Sequence, residues 1–255
     1  MPDTCLAAQL YTLRDFLKTP EDIARTLPKV AALGYRAVQL SALGPIGTGE
    51  LKKILDGEGL AVCATHAGFE QLRDDLDAVV EEHEALGCRY VAIGGLPNEY
   101  RNREGYHRFA KEASEVARKM KKRGLVFGYH NHSFELEKFD GRTGLAILYS
   151  ESDPEVFTAE IDTYWIQHGG GDPAWWIRRV AGRSPLVHLK DMAMRGSTQL
   201  MAEVGEGNLN WPAILQACKE AGVEWYIVEQ DHVYNRDPFE ALGISLRNLN
   251  AMGLF

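Results

Sequence analysis

"RKMKKRGLVFGYHNH", residues 118–132, contains one whole junction of the fold. A basic helix end at 118–123 meets Gly124, and the apolar run Leu125-Val126-Phe127 follows and finishes in His130, Asn131 and His132. Basic residues complement the dipole at a helix C-terminus, and glycine is a common helix stop. The stretch therefore reads as helix, stop, strand, and then ligand-capable side chains where turn residues are usual. The same punctuation recurs along the chain. Strand-like runs are predicted at 6–10, 37–40, 60–65, 89–93, from 125 onward, and at 157–161, 186–189 and 225–228. Between and after them come helical patterns at 20–33, 48–58, 71–86 and 104–123, one through Leu145 and Leu148, one through Trp175 and Val180, and others at 211–221 and 238–252. Thr19-Pro20 reads as an N-cap and first helical position, and Gly34, Gly87, Gly124 and Gly222 read as stops.

Strict strand–helix alternation requires crossover connections and hence a parallel sheet. Eight units in 255 residues predict an α/β protein, a single (β/α)8 barrel over 1–255. The rival is an open doubly wound sheet, but Tyr11-Thr12-Leu13-Arg14 follows the first strand where a dinucleotide-binding protein carries a glycine-rich turn. The stretch 192–210 reads as a long loop.

Composition is that of an ordinary globular chain, 45% hydrophobic and 25% charged, with a net charge of -8. The acidic balance, with 118–123 as the densest basic run, argues against a nucleic-acid partner. Cys5, Cys63, Cys88 and Cys218 form no CxxC pair and read as buried thiols of a reducing compartment. The first strand follows Met1-Pro2-Asp3-Thr4 with no leader pattern, and no run of 18 apolar residues occurs. A cytoplasmic protein without a membrane span is the expectation. A homo-oligomer is allowed and not indicated.

In such a barrel the site lies at the C-terminal strand ends. Those ends carry Gln9, Gln39, His66, then His130, Asn131 and His132, then Asp162, His188 with Lys190 and Asp191, and Glu229 with Gln230. Carboxylates and imidazoles from separate strands suit one divalent cation, Mn²⁺, Mg²⁺ or Co²⁺, with Zn²⁺ as a further alternative. No cysteine falls at these ends, which argues against a structural zinc cluster.

The segments "QLYTLRD" (9–15), "YHNHSFE" (129–135), "EIDTYWIQHGGGDP" (160–173), "LVHLKD" (186–191), "VGEGNLNWPAIL" (204–215) and "IVEQD" (227–231) resemble the xylose-isomerase-like TIM-barrel superfamily of sugar phosphate isomerases and epimerases. Inosose dehydratase, ketose 3-epimerases and 3-keto-glycoside enzymes belong to that group. The resemblance runs over nearly the whole chain. It implies a metal held by a carboxylate after strand five, an aspartate after strand six, a histidine after strand seven and a glutamate after strand eight. Asp162, His188 and Glu229 match the last three. Many relatives end strand five in glutamate, where this chain has Tyr129-His130, so Glu135 is expected as the fourth ligand and His130 is its rival.

The remaining polar residues take expected roles around that metal. His130, His132 and Lys190 are the catalytic candidates: the histidines as acid and base, since imidazole titrates near neutrality, and Lys190 as partner of a developing enolate oxygen. Gln9, Gln39, His66, Glu160, Trp165 and Arg195 are candidates for binding substrate. Each has a plain structural alternative: a satisfied histidine, an ion pair, a packed indole. His83, His107 and His168 read as surface residues. The expected activity is a metal-dependent isomerase or epimerase acting on a small keto-sugar or cyclitol through a metal-bound enediolate. A lyase of the inosose dehydratase or keto-glycoside type is the alternative. Two further classes are an endonuclease IV-like nuclease, opposed by the acidic charge, and a non-catalytic sugar-binding barrel.

Overall fold

The computed structural model describes residues 6–254. Eight parallel strands close into a barrel in chain order: Leu6–Gln9, Ala37–Leu40, Ala61–His66, Tyr90–Ile93, Val126–His130, Phe157–Asp162, Leu186–Leu189 and Trp225–Val228. The first strand pairs with the eighth, Ala7 opposite Ile227, and this pairing excludes the open sheet. Parallel strands covered by helices are buried on both faces, so they read as short continuous apolar runs. Cys5 and Met1 to Thr4 lie outside the described residues. Cys63, Cys88 and Cys218 are buried free thiols. Among the described residues no helix is long and apolar enough to cross a membrane.

Helix boundaries follow the local signals. Thr19 accepts a hydrogen bond from Asp22 N ahead of Pro20–Leu33, and Asn102 accepts one from Gly105 N ahead of Arg103–Lys122. Gly34, Gly87 and Gly222 close their helices in the left-handed conformation. Two readings are corrected. The helix expected at 71–86 is two, Phe69–Asp74 and Leu76–Leu86, separated where Asp75 leaves helical geometry. The expected loop at 192–210 contains an antiparallel hairpin, Asp191–Arg195 with Thr198–Ala202. Its two-residue Gly196-Ser197 turn starts at φ 59°, a conformation that suits tight hairpins and favours glycine.

The segment after that hairpin is organised by one buried side chain. Asp191 accepts hydrogen bonds from the backbone N–H of Met192, Gly205, Gly207 and Leu209 and from Trp211 Nε1, at 2.6–3.2 Å. Gly207 is required there, because a Cβ would stand 2.3 Å from Asp191 Oδ1. Donors aimed at an ionised acceptor are worth more than neutral pairs, and they are costly to strand. Asp191→Ala is expected to lower unfolding free energy by about 3 kcal/mol. Urea denaturation checks this; a loss below about 0.5 kcal/mol would show that the loop holds itself without the carboxylate.

Candidate active site

The C-terminal strand ends enclose a cavity of about 400 Å³ lined by Tyr11, Arg14, His66, His132, Trp165, Lys190 and Asp231, among others. A larger cleft of about 760 Å³ lies elsewhere, between helix Trp211–Ala221 and the end of the chain's last helix, and gathers no comparable set of ionisable groups. The smaller cavity is therefore the candidate site.

At its floor, donor atoms of His130, Asp162, His188 and Glu229 lie within 4.8 Å of one another. His188 Nδ1 is 2.8 Å from Glu229 Oε2, and His130 Nε2 is 3.3 Å from Asp162 Oδ2. All four residues are buried. Asp162 is aimed by the backbone: its N–H donates to Asn131 Oδ1, and its Oδ1 caps the following helix at Trp165 N. The Thr163 hydroxyl lies 3.1 Å and 2.8 Å from the carbonyls of His188 and Lys190 and accepts from Lys190 N, which ties the end of strand seven to strand six.

Lys190 Nζ is 3.0 Å from Asp162, 2.8 Å from Glu229 and 3.0 Å from Asp231. Burial works against its charged form, but these three carboxylates outweigh burial and hold the ammonium well above its usual range. The same contest at His188 is won by Glu160 and Glu229, which keep the imidazole up at about 10. Burial pushes His130 down, and it pushes His132 down to about 3. Burial and the neighbouring Glu229 charge raise Asp231 to about 6.

Four carboxylates, Glu229 and Asp231 at the cavity and Glu160 and Asp162 buried beneath it, thus cluster with one ammonium and a group of imidazoles. Buried charge of one sign calls for a counter-charge. A donor set of two imidazoles and two carboxylates suits a borderline divalent cation, so the residues fit the metal that the sequence motifs imply. Asp231 gives Lys190 a partner that is not one of those four donors.

Glu135, expected as the fourth ligand, stands apart from them. The chain turns into a short 3-10 helix at Phe134–Leu136, and the buried Glu135 carboxylate accepts from Tyr129 Oη and His132 N. His130, and not Glu135, is among the four converging donors. Arg195 is exposed in the hairpin and is not among the residues lining the cavity. Gln9, Gln39 and Glu160 are buried beneath the cavity and bonded to one another, while His66 and Trp165 line it. His132 Nδ1 and Trp165 Nε1 are buried without a hydrogen-bond partner. His83 is not on the surface: its ring is buried, bonded to Thr65 Oγ1 and Val79 O.

Arg14, Asp231 and the pair Gly94-Gly95 also border the cavity. Asp231 was visible as the end of "IVEQD". The glycines carry no chemistry, yet a Cβ on Gly94 would stand 3.2 Å from His66 Nδ1, and one on Gly95 3.2 Å from His132 Cε1. Strand four ends bare because two imidazoles press on it.

A family model described as xylose isomerase-like TIM barrel matches residues 27–251. No curated protein matches the sequence. Among solved structures, a sugar phosphate isomerase/epimerase from Parabacteroides distasonis ATCC 8503 superposes with a TM-score of 0.83 at 23% identity, over 100% of this chain and 96% of that one. An L-ribulose 3-epimerase gives 0.70 at 18%, covering 98% and 94%. A probable 3-DHS dehydratase from Bacillus anthracis gives 0.71 at 11%, covering 96% and 97%. At such identities the likeness is one of fold.

Glu135 generates a test of its own. Burial, opposed by the bond from Tyr129, raises its carboxyl to about 7. The folded state therefore binds this proton more tightly than the unfolded chain. The stability it contributes is full below about pH 4.5 and is lost as pH rises through about 7. Glu135→Gln removes that loss. Relative to wild type, the variant is expected to gain on the order of 2 kcal/mol between pH 5 and pH 8. Urea unfolding of both proteins at the two pH values checks it, and parallel pH profiles would refute it.

Proposed function

The chain belongs to the xylose isomerase-like TIM barrel family, and from that premise we propose that it is a divalent-metal-dependent isomerase or epimerase of a small keto-sugar or cyclitol. One observation carries the reading: the donor atoms of His130, Asp162, His188 and Glu229 converge at the floor of a cavity of sugar size. In this reading His130 takes the place of Glu135 as fourth ligand, and Mn²⁺, Mg²⁺, Co²⁺ and Zn²⁺ are the candidate ions. A cation bound there would polarise a substrate carbonyl and acidify the neighbouring C–H.

The chain's own groups do the rest. Lys190, held charged by its carboxylates, favours negative charge on a substrate oxygen as an enediolate develops. Asp231 lines the cavity and titrates near 6, close enough to neutrality to take and return a carbon-bound proton. His132, held down to about 3 and so neutral near pH 7, is a poor base, and with Trp165 it forms the cavity wall against which a substrate would pack. Proton return from Asp231 to the adjacent carbon isomerises, whereas epimerisation needs a second acid, on the opposite face, to supply the proton. A lyase is the second reading. The raised Asp231 carboxyl favours it, since a protonated acid can also donate to a leaving hydroxyl.

Two measurements test this. Elemental analysis of purified protein is expected to find about one divalent ion per chain, lost in Glu229→Ala and kept in Glu135→Gln; full occupancy in the alanine variant would remove Glu229 from the site. In D₂O, NMR is expected to show deuterium entering the position next to the carbonyl of a keto-sugar. Asp231→Asn is expected to slow that exchange at least about a hundredfold. Turnover without any solvent deuterium would point to a hydride shift and overturn the proton-transfer reading.

A further inference from the structure

Beneath the cavity lies a chain of side chains whose proton positions can be assigned by elimination. Backbone Tyr11 N–H, which can only donate, points at Gln9 Oε1 at 3.2 Å. Gln9 must then face Gln39 with its amide nitrogen, and Gln9 Nε2 stands 2.8 Å from Gln39 Oε1. That orients Gln39 with Nε2 toward Glu160 Oε1, at 2.7 Å. The reverse orientation would set the Gln39 oxygen against a carboxylate and two nitrogens against each other, so it is disfavoured on both sides. His188 Nε2 meets Gln39 Oε1 at 2.7 Å and Glu160 Oε1 at 3.3 Å. Both neighbours are acceptors, so His188 Nε2 must carry a proton. Its other nitrogen, Nδ1, faces Glu229 at 2.8 Å and Asp162 at 3.8 Å, acceptors again, so Nδ1 carries either a second proton or, in its place, the cation.

We propose that Gln9, Gln39 and Glu160 act as positioning residues, a hydrogen-bond relay anchored on a backbone amide, which keeps His188 Nε2 protonated and so presents Nδ1 to the cation. The proposal rests on the metal reading above and adds a role to three residues that sequence reasoning had assigned to substrate. The same relay acts on His66. Its Nε2 donates to Glu160 Oε2 at 2.7 Å, which leaves Nδ1 as an acceptor at the cavity wall, 3.4 Å from Ser41 Oγ. One carboxylate thereby sets the tautomer of two histidines. The relay is wholly buried at Gln9, Gln39 and Glu160, so water does not compete for these bonds. An outer partner of this kind holds the ring's orientation and raises the basicity of the ligating nitrogen.

The test uses Zn²⁺ as a diamagnetic probe. Long-range ¹H–¹⁵N correlation of the zinc-loaded wild-type protein is expected to show His188 bound through Nδ1 with a slowly exchanging proton on Nε2. Coordination through Nε2, or an Nε2 without a proton, would overturn the relay. Chelator competition is expected to show a zinc affinity about 10- to 100-fold lower in Gln39→Leu. Gln9→Leu keeps the acceptor and frees its orientation, so a smaller loss in the same direction is expected. Should Gln39→Leu fail to fold, the wild-type spectrum and Gln9→Leu decide. Undiminished affinity in folded variants would remove the relay and leave the metal site standing, whereas a wild-type protein that takes up no zinc would end both.

Discussion

Buried negative charge is the constraint on which the site depends. Glu160 and Asp162 are fully buried and Glu229 nearly so, with Asp231 beside them. Isolated carboxylates would protonate in such surroundings. Here Glu160, Asp162 and Glu229 are instead held low, against burial, by Lys190 and by the histidines around them. Five of the eight strand ends answer this charge. Strand seven supplies His188 and then Lys190, strands three and five supply His66 and His130, and the amides of Gln9 and Gln39 fill the space beneath. The arrangement is expensive as a core, and its carboxylates keep the Lys190 ammonium charged beside them.

Rigidity comes from the bonds around the charged groups. Thr163 clips the end of strand seven, and Asp162 is held through its own backbone to Asn131. Asp191, one residue past Lys190, gathers the loop that follows. Side chains that must meet within a few tenths of an ångström thus sit on strands or immediately after them. Precision of that kind is what a binding constellation needs from its supporting residues. The aromatic wall is looser: His132 stacks on Phe134 and leans on Trp165, and His132 Nδ1 and Trp165 Nε1 are left without a hydrogen-bond partner.

Asp162, His188 and Glu229 were legible because each ends an apolar run, and in a closed parallel barrel all such ends converge. The barrel itself was legible for the same reason: eight apolar runs alternate with helices that open on capping residues and often stop at glycine, and both signals are local. The hairpin at 191–202 was missed although Gly196-Ser197 marks its turn, because one strand's alternation of Met192 and Met194 is too short to outweigh the loop reading.

What only the tertiary structure decided is which groups meet. Glu135 follows His130 by five residues, and sequence distance cannot say that a tight turn delivers its carboxylate to Tyr129 while the imidazole takes the inner corner. The partners of Gln39 lie 30, 121 and 149 residues away, so no spacing rule could find the relay. Charge state is decided in the same way. The sequence states that a histidine and a lysine stand at the end of strand seven; the number of carboxylates around them, and hence the protons they keep, follows from barrel closure, which brings strands two, six, seven and eight around one point.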